Sequence, residues 1–72
     1  MWLEEAMMRK RLSAEKVKKL PVGSDVYHVE EATGKAARLF IVQSGKKKML
    51  KSVFLEPRKI EDRPGWHYEV DA

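Results

Sequence analysis

The clearest candidate for chemistry in this sequence is a cluster of lysines. Lys46, Lys47 and Lys48 follow the pair Ser44-Gly45, and the surrounding segment, residues 32–55, holds six basic residues and no acid. Clustered cations without neighbouring carboxylates attract a phosphate backbone and release its counterions. The pattern predicts a nucleic-acid-binding surface. Its candidate residues are Lys46, Lys47, Lys48, Arg38 and Lys51, extended by Lys35, Arg9 and Arg11.

A second interpretation of the same lysines is solubility. Lysines at hairpin ends and on edge strands protect small proteins from aggregation, and they also attract acidic partners other than nucleic acid. The basic run at residues 9–19 is interpreted as a solvated helix face or as an extension of the phosphate-binding surface. A third interpretation, a basic amphipathic helix on an anionic membrane, is disfavoured because so small a chain needs the apolar face for its core. The net charge of +4 is moderate, so charge alone does not separate these alternatives.

Catalytic and metal-binding patterns are absent from the sequence. His28 and His67 are the only histidines, and strand alternation places both on outward faces without metal-ligand spacing. Glu61 and Asp62 are adjacent in a loop, where surface ion pairs are the expected role. No nucleophile constellation or phosphate-cradling glycine loop is present. We therefore expect no enzyme activity, no cofactor and no metal.

Aromatic side chains can stack on bases, but a short chain needs most of them for its core. The six aromatic residues are Trp2, Tyr27, Phe40, Phe54, Trp66 and Tyr68. Trp2 and Trp66 lie at the ends of predicted elements, so they are the least secure core residues. We expect the others to be mainly structural.

Length and composition predict one domain spanning residues 1–72. The chain has no cysteine, which is compatible with the reducing cytoplasm, where we expect the protein to act. The N-terminus carries Glu4 and Glu5 and lacks the long apolar core of a signal peptide. No apolar run approaches the roughly 20 residues of a membrane helix, so no membrane partner is expected.

The elements that must position the lysines begin with a helical segment at residues 1–20. Residues 2–11 show helical spacing of apolar side chains, Ser13 is a candidate N-cap, and Pro21 ends the segment. Two short helices, or one helix kinked near Ser13, fit this pattern. Its apolar face should pack on a sheet.

From residue 22 the apolar period changes to two, which predicts strands at residues 25–30, 36–43, 46–55 and 66–71. Gly34, the Ser44-Gly45 pair and Pro64-Gly65 mark turns. A two- or four-residue loop in the central hairpin would place Ile41 and Leu50 on one face, whereas a three-residue loop would shift the register. Both central strands are apolar on both faces, which favours cover on both sides.

The fold class predicted is α+β, with the N-terminal helical segment packed on a curved four-stranded antiparallel sheet over residues 25–71. Four short strands with tight turns are similar in architecture to small SH3-like barrels. The predicted core is Leu3, Met7, Val17, Leu20, Val26, Val29, Leu39, Ile41, Leu50, Val53, Phe54, Tyr68 and Val70.

The function predicted is a small non-enzymatic nucleic-acid-binding domain that contacts phosphates through a basic β-hairpin. Small size and the lack of metabolic motifs suggest an accessory protein of a bacterial mobile element or phage. The alternative is a protein–protein interaction module, a homodimer or an adaptor, that pairs through an exposed edge at strand 25–30 or 66–71.

Overall fold

The computed structural model describes residues 8–72, which form six strands and one helical turn. All neighbouring strands are antiparallel, and their order across the sheet is β1-β6-β2-β3-β4-β5. The sheet is open, with β1 and β5 at its edges, so the predicted α+β fold and the SH3-like barrel are both wrong. The elements are β1 (Arg9–Leu12), α1 (Ala14–Val17), β2 (Asp25–Glu30), β3 (Ala36–Ser44), β4 (Lys47–Ser52), β5 (Leu55–Arg58) and β6 (Trp66–Asp71).

The end of the predicted N-terminal helix is a strand. β1 pairs with β6 in a register that places Arg9 opposite Asp71 and Arg11 opposite Glu69. The backbone pairing with β6 and the packing of Leu12 against the core are long-range interactions, and they override the local helical spacing. Residues 2–7 of the predicted helix, which include the predicted core residues Leu3 and Met7, lie outside the described residues.

The predicted cap at Ser13 is confirmed, but the helix that follows is a single turn. Ser13 Oγ accepts a hydrogen bond from the Lys16 N–H at 3.3 Å. After Val17 the backbone tightens, because the Leu20 N–H donates to the carbonyl of Val17 rather than continuing the α-helical pattern. The predicted extension of the helix to Leu20 is therefore wrong.

The strands predicted at residues 25–30 and 66–71 are confirmed with their bounds as β2 and β6, and turns flank them. Arg63 O accepts from the Trp66 N–H at 3.1 Å and Gly65 has φ of 79°, as the predicted type II turn requires. The β3–β4 hairpin has a two-residue loop, Gly45 and Lys46, with Gly45 at φ 63°. Ile41 consequently lies opposite Leu50, in one of the two predicted registers.

The predicted strand at residues 46–55 is interrupted. β4 ends at Ser52, Val53 and Phe54 form a turn, and β5 follows with a register irregularity against β4. Val53 and Phe54, both predicted to be in the core, are 76% and 93% exposed. The two residues fall in the turn, where neither sheet face can cover them.

The core lies on one face of the sheet, hereafter the core face, beneath α1 and the β5–β6 loop. Of the predicted set, Leu20 and Val70 pack at the margin of the core, and Val29 is buried on the opposite face of the sheet, beside His67. The sequence patterns missed Ile60 and the buried His28. The central cluster consists of Ala14, Val17, Val26, Leu39, Ile41, Leu50, Ile60 and Tyr68.

The opposite, open face carries Phe40, Val42 and Met49, which are half-buried. No helix or strand within residues 8–72 lies over this face. We expected other elements to cover both faces of the central strands. Within residues 8–72 they cover the core face and not the open face. None of the helices found in residues 8–72 has the length and apolar character needed to cross a membrane.

Candidate functional site

A shallow groove lies at the end of the sheet where β3 turns into β4. Its cavity volume is about 820 Å³. We call it the lysine groove, because lysines make up most of its lining. The lining residues are Lys18, Gln43, Ser44, Lys46, Lys47, Lys48, Met49, Lys59 and Ile60.

Three separate parts of the fold bring the lysines together. The β3–β4 turn supplies Lys46, and strand alternation sends Lys47 to the open face and Lys48 to the core face. Lys18 follows directly on α1. Lys59 precedes Ile60, which is 3% exposed and fixes its loop to the core.

Lys48 is the most constrained of these cations. Its Nζ donates to the carbonyl of Leu20 at 2.5 Å, and the contact is partly buried. This bond joins β4 to the segment that follows α1 and holds the ammonium group at the groove wall. An ammonium has three donors, so Lys48 keeps further donors for a ligand.

No acidic residue lines the lysine groove. Within residues 8–72 the ion pairs between permanently charged side chains are formed by arginine, and none joins a lysine to a carboxylate. Five lysines border this concavity and no acid does, so its net charge is positive and attracts anions. The geometry therefore suits a ligand with several negative charges.

The three predicted arginines are placed differently from the lysines. Arg38 donates to Asp25 at 2.8 Å, and this hydrogen bond and its charge raise the pKa of Arg38. Arg11 donates to Glu31 at 3.1 Å. Arg9 lies over the Tyr27 ring, 3.8 Å from its centroid. None of the three lines the groove, and each already contacts a partner.

Two predicted lysines also lie outside the groove. Lys35 is in the turn between β2 and β3, at the other end of β3 from Lys46. Lys51 is on the open face of β4, and its Nζ donates to the Ser52 carbonyl at 3.1 Å. The groove thus unites three of the eight predicted site residues, Lys46, Lys47 and Lys48.

Sequence reasoning missed Lys18 and Lys59 as groove residues. Lys18 belongs to the basic run at residues 9–19, which was one signal for it. Lys59 had no such signal, because it lies in an acid-rich segment with Glu61 and Asp62. Only the packing of Ile60 turns Lys59 towards the hairpin.

The two histidines do not share the outward position predicted for them. His28 faces the core and is 2% exposed, because it shares a face of β2 with the buried Val26. Its Nε2 has no hydrogen-bond partner among residues 8–72. His67 lies on the open face, with its Nε2 2.7 Å from the Glu69 Oε2 and its Nδ1 3.5 Å from the Glu31 Oε2. Residues 8–72 contain no group of three or more ligands suited to a metal ion.

Comparison with known proteins yields no relative. No family model, no curated protein and no solved structure matches this chain. The functional proposal consequently depends on the geometry and charge of the lysine groove.

Proposed function

We propose that this protein is a small non-enzymatic domain that binds nucleic acid by placing backbone phosphates in the lysine groove. The observation that carries this proposal is the convergence of five lysines, from three parts of the chain, on one concavity without an acid. Evenly spaced negative charge along a polymer is the ligand chemistry that complements such a groove.

Lysine ammonium groups act on phosphates as mobile point charges rather than as bidentate readers of base edges. Binding through the groove is therefore largely independent of sequence. It also releases counterions, so affinity falls steeply with salt. If all five lysines engage phosphates, the slope of log K against log salt reaches about −4.5 for a duplex and about −3.5 for a single strand.

The first prediction concerns Lys59, a groove residue, and Lys10, an exposed lysine on β1 outside it. Lys59→Gln should reduce the salt slope by about 0.7–0.9, because one phosphate contact is lost. Lys10→Gln removes the same charge and should leave the slope unchanged. Fluorescence anisotropy of a labelled single strand and a labelled duplex, between 50 mM and 200 mM salt, measures both effects.

Two outcomes would overturn the proposal. One is the absence of binding to either oligonucleotide at the lowest salt concentration. The other is an equal loss of affinity in Lys59→Gln and Lys10→Gln, which would show that only net charge matters. Lys47→Gln provides a second groove variant, on a strand rather than a loop.

The alternative function, a protein-interaction module, was predicted to use an exposed edge of the strand at 25–30 or 66–71. β2 and β6, the predicted exposed edges, are interior strands. Edge strand β5 contains Pro57 and has an irregular register with β4, features that discourage pairing with another chain. Light scattering after size-exclusion chromatography tests this alternative: a stable dimer would favour it over the phosphate-binding groove.

A further inference from the structure

The turn between β4 and β5, together with the first residue of β5, exposes three consecutive apolar residues. They are Val53, Phe54 and Leu55, which we call the Phe54 turn. They are 76%, 93% and 48% exposed, respectively. A small domain needs its large apolar side chains for the core, and exposed apolar runs usually mark a binding function. Phe54 is a flat aromatic ring presented at the tip of a hairpin.

The Phe54 turn and the lysine groove lie at opposite ends of β4. The strand begins at Lys47, in the groove, and ends at Ser52, next to the turn. Six residues of extended chain separate the two sites by about 20 Å. Lys47, Met49 and Lys51 share the open face of β4 along this path, so the surface between the sites alternates basic and apolar side chains.

We propose that Phe54 stacks on a base of a single-stranded nucleic acid whose phosphates run along β4 from the lysine groove. This inference rests on the proposed function and names its preferred ligand. Proteins that bind single strands combine a basic track with aromatic platforms, since every base offers a π-face. Lys51 would contact the phosphate nearest the turn.

The geometry favours a single strand over a duplex or a membrane. Duplex bases are stacked inside the helix, so a protruding Phe54 ring gains contact only with an unpaired base. A flat bilayer that touched the Phe54 turn end-on would leave the lysine groove about 20 Å away. A flexible polyanion can follow β4 and reach both sites.

Phe40 is an aromatic residue on the open face beside β4, and it is less suited to the role. It lies on the open face between Asp25 and Lys51 in neighbouring strands, and it is half-buried. Phe54 also has an acidic neighbour, Glu56, two residues away in sequence. Nearly its whole ring is nevertheless exposed and available for stacking on a base.

The test compares Phe54→Ala, Phe54→Leu and Phe54→Trp with the control Val53→Ala, using a labelled single strand and the matching duplex. Phe54→Ala should weaken single-strand binding about 5- to 150-fold, the fold-change equivalent to about 1–3 kcal/mol per stacked base. Phe54→Leu should lose affinity for the single strand as Phe54→Ala does. Phe54→Trp should retain the wild-type affinity, because it keeps an aromatic ring. Duplex affinity and the salt slope should stay unchanged, because no charge is altered.

The outcomes separate this inference from the proposed function. If Phe54→Ala and Val53→Ala bind the single strand equally well while Lys59→Gln weakens it, the stacking role is wrong and the groove proposal stands. If Phe54→Leu retains full affinity, apolar contact rather than stacking explains the turn, and the inference fails. Loss of binding to vesicles of anionic phospholipid in Phe54→Ala, with unchanged single-strand affinity, would assign the turn to a membrane surface instead.

Discussion

His28 is enclosed by aromatic rings, with its ring centroid 4.7 Å from that of Tyr68 and 4.7 Å from that of Trp66. Burial lowers the pKa of His28, and the positive charges of Arg58 and Arg63, together with His67, lower it further. The folded protein therefore holds a neutral imidazole in its core. Such a group links stability to pH, because the unfolded chain can protonate it more easily.

Stability should consequently decrease as pH falls below about 6.5, the ordinary pKa of histidine. In this range the unfolded state binds a proton at His28 that the folded state does not, so the free energy of unfolding declines until pH passes the lowered pKa of the folded protein. Urea denaturation between pH 8 and pH 5 measures the decline. Replacing the ring by His28→Phe should flatten it relative to the wild-type protein. The linkage is disproved if His28→Phe shows the wild-type dependence.

At the scale of elements, α1 is too short to be stable by itself. Two side chains hold its first turn: Ser13, which accepts from the Lys16 N–H, and Asp62, whose Oδ1 accepts from the Ala14 N–H at 3.2 Å. Asp62 also ties the β5–β6 loop to the helix. The two elements that supply Lys18 and Lys59 to the lysine groove are thus joined by one hydrogen bond.

Removing this bond with Asp62→Ala should lower the free energy of unfolding by about 1 kcal/mol, the usual cost of losing a carboxylate that caps a helix. It should also weaken nucleic-acid binding slightly, because Lys18 and Lys59 lose their fixed separation. Neighbouring Glu61→Ala is the matched control, since no hydrogen bond of the Glu61 side chain occurs within residues 8–72. Chemical denaturation of both variants decides the matter: equal stability would mean that Asp62 does not support α1.

At the scale of the molecule, the described sheet has one well-filled core face and one open face. Leu50 is fully buried on the core face, whereas Phe54, four residues later, is almost fully exposed. Both are large apolar residues on the same predicted strand. Their contribution to stability is therefore decided by the turn at Val53 and Phe54 rather than by residue type.

Leu50→Ala should cost about 2–5 kcal/mol, because it removes buried contacts and leaves a cavity. That is a large share of the total stability of a small domain. Phe54→Ala should change stability by less than about 0.5 kcal/mol, as expected of an exposed position. Thermal and urea denaturation provide the comparison. A comparable loss in both variants would contradict the placement of Phe54 outside the core.

The sequence alone was sufficient where the signals are local. Alternation of apolar residues over 25–30 and 66–71 predicted β2 and β6, and the Pro64-Gly65 pair predicted the type II turn that precedes β6. Ser13 marked the start of α1. These features depend on a few adjacent residues, whose backbone preferences are much the same in any surroundings. The absence of acid from residues 32–55 likewise located the basic hairpin.

The tertiary structure decided what depends on residues far apart in the chain. Pairing with the acidic strand β6 made a strand of Arg9–Leu12, although its local spacing was helical. Each face of β2 carries both polar and apolar side chains, so only the packing showed that His28 lies in the core. The lysine groove has the same origin: Lys46, Lys47 and Lys48 were evident in the sequence, but Lys18 and Lys59 join them only through the docking of α1 and Ile60. Long-range pairing and burial outweigh local propensity, because each removes far more apolar and polar surface from water than a single turn can.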